Sequence, residues 1–160
     1  MKSVSEAAGP QAGQGVHPTS RRGLARRLTV QALYQWLVNE THPESMLKQF
    51  REQPEGLGRA DGEYFNELLK GVVDQAAELT MMLVPHLDRP LNQLDPVEHA
   101  VLLLGAYELK YKIEVPWKVV VNEAVNLAKI FGAEEGYKFV NGVLDKLARD
   151  ARGAEIGAGY

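Results

Sequence analysis

Four arginines, Arg21, Arg22, Arg26 and Arg27, stand close together near the N-terminus of the chain. A guanidinium group binds phosphate through two parallel hydrogen bonds and also stacks on nucleobases. Arg22 and Arg26 are four residues apart, so on a helix they lie on the same face. The cluster indicates a site for RNA phosphates and bases, while a solvated, charged helix end explains the same pattern equally well.

The distribution of charge favours a local anion-binding site on an acidic protein. Residues 1–30 carry five cations and one anion, a balance of +4, whereas the whole chain of 160 residues has a net charge of −3. Residues 31–160 therefore carry −7. The net charge of −3 excludes the class of polycationic proteins that bind nucleic acid through net charge alone.

No group of side chains in the sequence has the composition of a catalytic or metal site. The chain has no cysteine, and its histidines lack the spacing of metal ligands. They are His17, His42, His86 and His99. Glu134 and Glu135 could act as an acid and a base, but the dipole of a helix also favours two anions in its first turn. We therefore expect a protein that is not an enzyme and that uses neither a metal nor a cofactor.

The sequence also gives an expectation about location. No run of apolar residues reaches the roughly 20 that a membrane-spanning helix needs, and the polar N-terminus lacks the apolar centre of a secretion signal. We expect a cytoplasmic protein without a membrane partner.

Hydrophobic periodicity predicts an all-α fold. Apolar residues recur every three or four positions, and no window alternates as a strand would. The run Asp95-Pro96-Val97-Glu98 places a capping residue, a proline and a glutamate where a helix begins, and Gly132 suits a helix end. We predict about seven helices in two packed bundles, over residues 20–39, 43–53, 61–77, 79–83, 96–112, 116–131 and 133–149.

The same patterns predict the domain organisation. Residues 1–19 are polar and rich in small residues, a composition typical of a disordered extension. Residues 20–152 form a single helical domain, with an N-terminal bundle over 20–84 and a C-terminal bundle over 94–150. Residues 153–160 are rich in glycine and alanine, and we expect a flexible tail there.

The predicted helix at 96–112 is apolar on nearly every side. Leu102, Leu103, Leu104 and Leu109 point in different directions around it. A helix that is hydrophobic all round is either fully buried or covers two surfaces. In the second case part of it would form a docking surface for a partner, and both interpretations stay open at this point.

The C-terminal third carries the most specific motifs of the chain. They are Asn122-Glu123-Ala124, the pair Ala128-Lys129 ahead of Phe131-Gly132, and the run Lys138-Phe139-Val140-Asn141-Gly142-Val143-Leu144. The arginine-rich start followed by Val30-Gln31-Ala32-Leu33-Tyr34 and the segment Ala106-Tyr107-Glu108-Leu109 match as well. Over about residues 20–150 the chain resembles the NusB family of bacterial transcription antitermination factors.

This resemblance implies a fold and a function. NusB proteins are all-helical, with two roughly perpendicular three-helix bundles. They bind the boxA element of nascent ribosomal RNA transcripts as a heterodimer with NusE, a ribosomal protein of the small subunit. The complex joins other Nus factors on RNA polymerase, where it suppresses premature termination and supports ribosomal RNA maturation. The family uses no cofactor.

The resemblance also implies roles for individual residues. RNA contacts are expected from Arg21, Arg22, Arg26, Gln31, Lys129, Glu135, Lys138 and Phe139. A NusE-binding surface is expected on the second bundle, around Glu98, Val101, Leu102 and Tyr107. Asn122, Glu123 and Asn141 are expected to be structural, and Gly142 is expected to permit close packing of helices.

Two alternatives stay open. NusB-like domains also occur at the N-terminus of some RNA cytosine methyltransferases, which would require a methyltransferase domain downstream of this one. The end of the chain at Tyr160 favours the antitermination factor. Some family members form homodimers in which the arginine face or the apolar helix is masked, and the sequence does not decide whether this chain does so.

Overall fold

The computed structural model describes residues 20–157, and this part of the chain forms helices joined by turns and short connections. Its α-helices are α1 (Arg21–Asn39), α2 (Pro43–Glu52), α3 (Gly62–Asp74), α4 (Ala76–Leu83), α5 (Pro96–Tyr111), α6 (Trp117–Phe131), α7 (Gly136–Ala151) and α8 (Gly153–Gly157). The all-α prediction is confirmed, with eight α-helices in the described residues where about seven were expected. The expectation for residues 1–19 lies outside the described part.

Polar side chains cap the starts of α1, α3 and α5, and one of them is the capping residue predicted at Asp95. The side chains of Ser20, Asp61 and Asp95 each accept a hydrogen bond from a backbone N–H two or three residues further on. The first N–H groups of a helix have no partner within the helix, so these caps satisfy them. The cap at Ser20 places the arginines in the first two turns of α1.

Helix α5 lies at the centre of the fold. It contacts α1, α3, α4, α6 and α7, and every residue from Ala100 to Leu109 is buried. Helices α1, α2 and α3 pack on one another, as do α5, α6 and α7, which gives the two predicted three-helix groups. Of the two interpretations of the apolar helix, burial is therefore the one that holds for Ala100–Leu109.

Close packing of the central helix depends on Gly105 rather than on Gly142. A Cβ at Gly105 would lie 2.6 Å from Cδ1 of Leu144 in α7, so α5 and α7 approach too closely for a side chain at this position. A Cβ at Gly142 would meet no atom of the described residues within 4 Å. The expected role of Gly142 in helix packing is therefore wrong.

The segment from Gly153, expected to be a flexible tail, forms helix α8 as far as Gly157. The preceding Arg152 is buried and donates hydrogen bonds to backbone carbonyl oxygens at the C-terminal end of α5. Its Nη1 also lies 2.6 Å from Oε1 of Glu155, whose other oxygen accepts a hydrogen bond from the backbone N–H of Trp117. These contacts fix α8 against the second bundle, and residues 158–160 lie outside the described part.

Candidate nucleic-acid interface

The arginine cluster of α1 separates into buried and exposed members. Arg26 is only 4% exposed; its Nε donates to both carboxylate oxygens of Glu108, each 2.9 Å away, and its Nη1 lies 3.3 Å from Glu123. Arg26 therefore cannot reach a phosphate outside the protein in this structure. Its expected RNA contact is corrected to an ion pair that joins α1 to α5 and α6.

Gln31, another residue of α1 that was expected to contact RNA, is also turned inward. Its side chain is 8% exposed, since it lies on the part of α1 that packs against the rest of the fold. Of the residues expected to be structural, Glu123 fulfils that role through Arg26, whereas Asn122 and Asn141 are exposed.

Tyr64 of α3 connects the buried ion pair to an exposed arginine. Its hydroxyl donates a hydrogen bond to the carboxylate of Glu108, and the guanidinium carbon of Arg22 lies 4.0 Å from the centre of its ring. Burial raises the pKa of Tyr64, and the charge of Glu108 raises it further, so the hydroxyl stays protonated. The Arg22 side chain remains 43% exposed, with an oxygen of Glu114 3.9 Å away. The ring therefore holds Arg22 while leaving much of it open to solvent.

A second pair of cations lies on aromatic rings at the end of α6. The guanidinium of half-buried Arg27 is 5.6 Å from the ring centre of Phe131, and Nζ of Lys129 is 4.8 Å from that of Tyr137. The first contact joins α1 to α6 and the second joins α6 to α7. The exposed cations of α1 and Lys129 thus belong to adjoining parts of the molecule.

The turn before α7 presents a carboxylate beside an ammonium group. Glu134 and Glu135 precede the helix, which begins at Gly136, so neither occupies its first turn as expected. Glu135 has φ of 73°, a left-handed conformation that costs a non-glycine residue roughly 1–2 kcal/mol. Its carboxylate lies 2.6 Å from Nζ of exposed Lys138. Strained backbone of this kind concentrates at binding elements.

Phe139 lies one residue further on and is covered by an arginine that the sequence reasoning missed. The guanidinium carbon of Arg89 is 4.0 Å from the centre of the Phe139 ring, and Nε of Arg89 is 2.7 Å from the carboxylate of Asp88. Fifty residues separate the two partners, so no local pattern could have paired them. The sequence signal was limited to a cation in the proline-flanked segment between the bundles.

The residues expected to bind NusE do not form a surface in this structure. Val101 and Leu102 are 0% exposed, and Glu98 and Tyr107 are buried as well. Glu98 packs so closely on the start of α7 that a Cβ at Gly136 would lie 2.5 Å from its Oε2. Burial raises the pKa of Glu98, and the charge of Asp95 raises it further. These residues are corrected from a docking surface to the interior of the second bundle.

An uncharged groove opens beside the first turn of α5. It has a volume of about 570 Å³ and is lined by Leu37, Leu91, Asn92, Leu94, Pro96 and His99. Burial lowers the pKa of His99, so its ring is neutral at pH 7. The groove therefore carries no formal charge, in contrast to the arginine region, and its composition suits a protein partner better than a nucleic acid.

Residues 20–157 contain neither a metal site nor a membrane-spanning helix. No group of three or more histidine, aspartate or glutamate side chains there could hold a metal ion. No helix in the same residues is long and apolar enough to span a membrane.

Comparison with known proteins assigns the fold to a family. The model of the NusB family matches residues 24–149. The transcription antitermination protein NusB of Ralstonia nicotianae is 50% identical over 141 residues, which cover 88% of this chain and 90% of that protein. NusB of Nitrosospira multiformis is 52% identical over 133 residues, or 83% of this chain and 84% of that protein.

Solved structures agree with this assignment. A chain in a crystal structure of the antitermination factors NusB and NusE in complex with double-stranded RNA has a TM-score of 0.70 and 27% identity, covering 81% of this chain and 97% of that chain. NusB of T. maritima has a TM-score of 0.72 and 28% identity, covering 88% and 99%. With half of its residues shared with curated relatives along most of its length, this chain belongs to the NusB family.

Proposed function

We propose that this chain is a transcription antitermination factor that binds boxA RNA of nascent ribosomal RNA transcripts as a heterodimer with NusE. The observation that carries the proposal is Arg22, which Tyr64 holds at the surface with a side chain that is 43% exposed. Relatives named as antitermination proteins, and the related complex of NusB, NusE and RNA, support it. Through this heterodimer the chain joins the other Nus factors on RNA polymerase in the cytoplasm, as a binding protein rather than an enzyme.

The RNA surface that we propose differs from the sequence expectation in two members, because Gln31 and Arg26 are both buried. Arg21, Arg22, Lys129 and Lys138 supply cations to phosphates, and Phe139 supplies a ring for a base. Arg27 takes the place of Arg26, since it is only half-buried and lies over the ring of Phe131. Glu135 is an acceptor suited to a base amino group.

We place NusE in the uncharged groove beside the first turn of α5. Val101 and Leu102 are inaccessible, whereas the groove is an open, uncharged surface at the start of the same helix. The groove offers apolar side chains from α1, from the segment before α5 and from α5 itself. Binding there would leave the arginine region free for RNA, so both proteins could contact one RNA and reinforce each other.

The proposed function predicts that boxA RNA binds the heterodimer at least tenfold more tightly than it binds either protein alone. Fluorescence anisotropy of labelled boxA RNA, titrated with the chain, with NusE and with both, measures this.

Arg22→Ala should weaken binding of boxA RNA to the heterodimer about threefold to tenfold. It should also lower the slope of log affinity against log salt concentration by about one, because one phosphate contact is lost.

Scrambled RNA and the variant Lys118→Gln are the controls for this titration. Lys118 is an exposed cation near the opposite end of α6 from Lys129, so its loss should leave affinity unchanged. Equal binding of boxA and scrambled RNA by the heterodimer would contradict the proposed function. Equal effects of Arg22→Ala and Lys118→Gln would contradict the proposed RNA surface.

The NusE groove predicts a separate effect. Leu37→Gln should weaken NusE binding about tenfold, because it replaces an apolar wall of the groove by an amide. Isothermal titration of the variant with NusE measures this. Val38→Gln is the matched control, since Val38 is the neighbouring and more exposed residue of α1 but does not line the groove. Wild-type affinity in Leu37→Gln, or equal losses in both variants, would place NusE elsewhere.

The methyltransferase alternative is less well supported. The matched relatives are named as antitermination proteins, and the matches span 90% of the length of the Ralstonia relative and 84% of the Nitrosospira one. Homodimerisation in the absence of NusE stays open, and sedimentation of the chain with and without NusE distinguishes the two states.

A further inference from the structure

Glu98 is a buried glutamate in the first turn of α5 whose carboxylate faces another helix. The residue is 6% exposed, and its Oε1 accepts no hydrogen bond from any group of residues 20–157. At the third position of a helix, a glutamate commonly reaches back to the backbone N–H of the capping residue, which here is Asp95. The Oε2 of Glu98 lies instead against the start of α7. A buried carboxylate with an unused oxygen is costly, so a role in another part of the fold must offset that cost.

The contact between Glu98 and α7 lies at the first residue of that helix. A Cβ at Gly136 would lie 2.5 Å from Oε2 of Glu98 and 3.3 Å from its carboxylate carbon, so only glycine lets the carboxylate come this close. The first N–H groups of a helix carry a partial positive charge. Glu135, which precedes α7, does not cap these groups and turns its carboxylate to Lys138. Glu98 therefore supplies, from α5, a negative charge to the start of α7.

Four residues of the proposed RNA surface depend on this end of α7. Glu135 lies directly before the helix, and Lys138 and Phe139 lie in its first turn. Lys129 rests on the same turn, since its Nζ is 4.8 Å from the ring centre of Tyr137. The left-handed backbone of Glu135 persists only where the surrounding structure holds it. The position of the start of α7 therefore decides where these four side chains stand.

We propose that Glu98 is a positioning residue for RNA binding, which fixes the start of α7 and thereby the RNA residues at this end of the helix. The assignment rests on the proposed function and replaces the NusE contact that the sequence resemblance implied for Glu98. Glu98 is buried, so it acts through its contact with Gly136 and not by touching RNA. Its neighbours Pro96 and His99 line the proposed NusE groove, whereas Glu98 does not.

Changing the contact from either side tests the proposal. Glu98→Gln keeps the size of the side chain and removes its charge, whereas Gly136→Ala pushes the carboxylate away from α7. Each variant should weaken binding of boxA RNA to the heterodimer about threefold, the effect expected of one charge at a helix start. In the double variant the loss should stay near about threefold and not reach about ninefold, because both changes remove the same contact. Anisotropy titrations at saturating NusE measure all three variants.

Gly153→Ala is the matched control for Gly136→Ala. Gly153 is also the first residue of a helix, but a Cβ there would meet nothing within 4 Å, so RNA affinity should equal that of the wild type. Circular dichroism gives the folded fraction of every variant. Should Gly136→Ala fail to fold, Glu98→Gln decides the matter, since it preserves the packing of the side chain.

Amide spectra separate positioning from a general loss of stability. In the proton–nitrogen correlation spectrum of Glu98→Gln, the signals of Lys129 and of residues 135–139 should move, whereas those of Arg21 and Arg22 should not. A uniform loss of stability would leave the signals of the folded state in place. Unmoved signals at Lys129, Lys138 and Phe139 would therefore overturn the positioning role.

The binding outcomes distinguish this proposal from the proposed function. Wild-type RNA affinity in Glu98→Gln and Gly136→Ala, with a loss in Arg22→Ala, would overturn the positioning role and leave the function standing. Weaker NusE binding by Glu98→Gln in isothermal titration, with wild-type RNA affinity at saturating NusE, would assign Glu98 to the protein partner and overturn the positioning role as well. Failure of the wild-type heterodimer to prefer boxA would overturn the function and this role together.

Discussion

Replacing Arg26 with alanine is expected to lower the free energy of unfolding by about 3–5 kcal/mol. The change leaves the Glu108 carboxylate buried among α1, α3 and α5 without the cation that now binds both of its oxygens. A buried charge without a partner is strongly disfavoured, because the interior does not replace its hydration. Urea denaturation followed by circular dichroism at 222 nm measures the loss.

Arg22→Ala is the matched control for this prediction. Arg22 lies one turn earlier on the same helix, but its side chain is 43% exposed, so its removal should change the stability by no more than about 0.5 kcal/mol. The double variant Arg26→Met with Glu108→Gln should regain most of the stability, since it removes both charges and keeps an acceptor for Tyr64. A stability loss below about 1 kcal/mol in Arg26→Ala would contradict the structural role.

Because Arg26 is buried and Arg22 is exposed, the two arginines must not be replaced together in a variant designed to test RNA binding. A variant that lacks both Arg22 and Arg26 would lose RNA affinity through unfolding as well as through lost contacts. Arg26 acts on the RNA surface only indirectly, because it holds Glu108, which binds Tyr64, which in turn supports Arg22. RNA affinity should therefore be compared between variants only after their folded fractions have been measured.

The helices could be predicted from the sequence because their signals are local. Caps at Ser20, Asp61 and Asp95 act over two or three residues, and apolar spacing reveals a helix within a few turns. Such signals can be recognised without knowing how the rest of the chain folds. The C-terminal helix was missed since its support comes from Arg152, whose carbonyl partners at Glu108 and Leu109 are more than 40 residues away.

The orientation of the arginines could not be predicted, because it too depends on residues that are distant in the sequence. Arg26 and Arg27 are neighbours of identical type, and the one that faces inward is chosen by Glu108, 82 residues further along the chain. The pairing of Arg89 with Phe139 likewise depends on how the inter-bundle segment lies on α7. The family resemblance supplied Phe139 but gave no information about what covers its ring.

The docking surface shows a different limit of sequence reasoning. A helix that is apolar all round can be either buried or bound to a partner. The five helices that pack around α5 show that it is buried, and no local pattern in the sequence reveals them. The groove that remains is built from α1, the segment before α5 and the first turn of α5. A surface assembled from three separate segments leaves no periodic pattern in any one of them.

Replacing Arg152 with alanine is expected to lower the free energy of unfolding by about 2–4 kcal/mol. Its buried guanidinium donates to the backbone carbonyls of Glu108, Leu109 and Lys112 at distances of 3.2, 2.7 and 3.1 Å. The last carbonyls of a helix lack partners within it, and hydrogen bonds from a charged donor are among the stronger ones. Loss of this donor leaves the end of the central helix unsatisfied. Urea denaturation measures the change in stability.

The same variant should release α8, because Glu155 loses the cation that lies 2.6 Å from it. Hydrogen exchange should then speed up at the Trp117 amide, which now donates to Glu155, and along residues 153–157. Arg149→Ala is the matched control, since this exposed arginine on the last turn of α7 pairs with Asp145 at 3.2 Å and with no other carboxylate of residues 20–157, a contact worth less than about 1 kcal/mol. Equal stability losses in the two variants, or unchanged exchange at Trp117, would show that Arg152 does not fasten α8 to the end of the central helix.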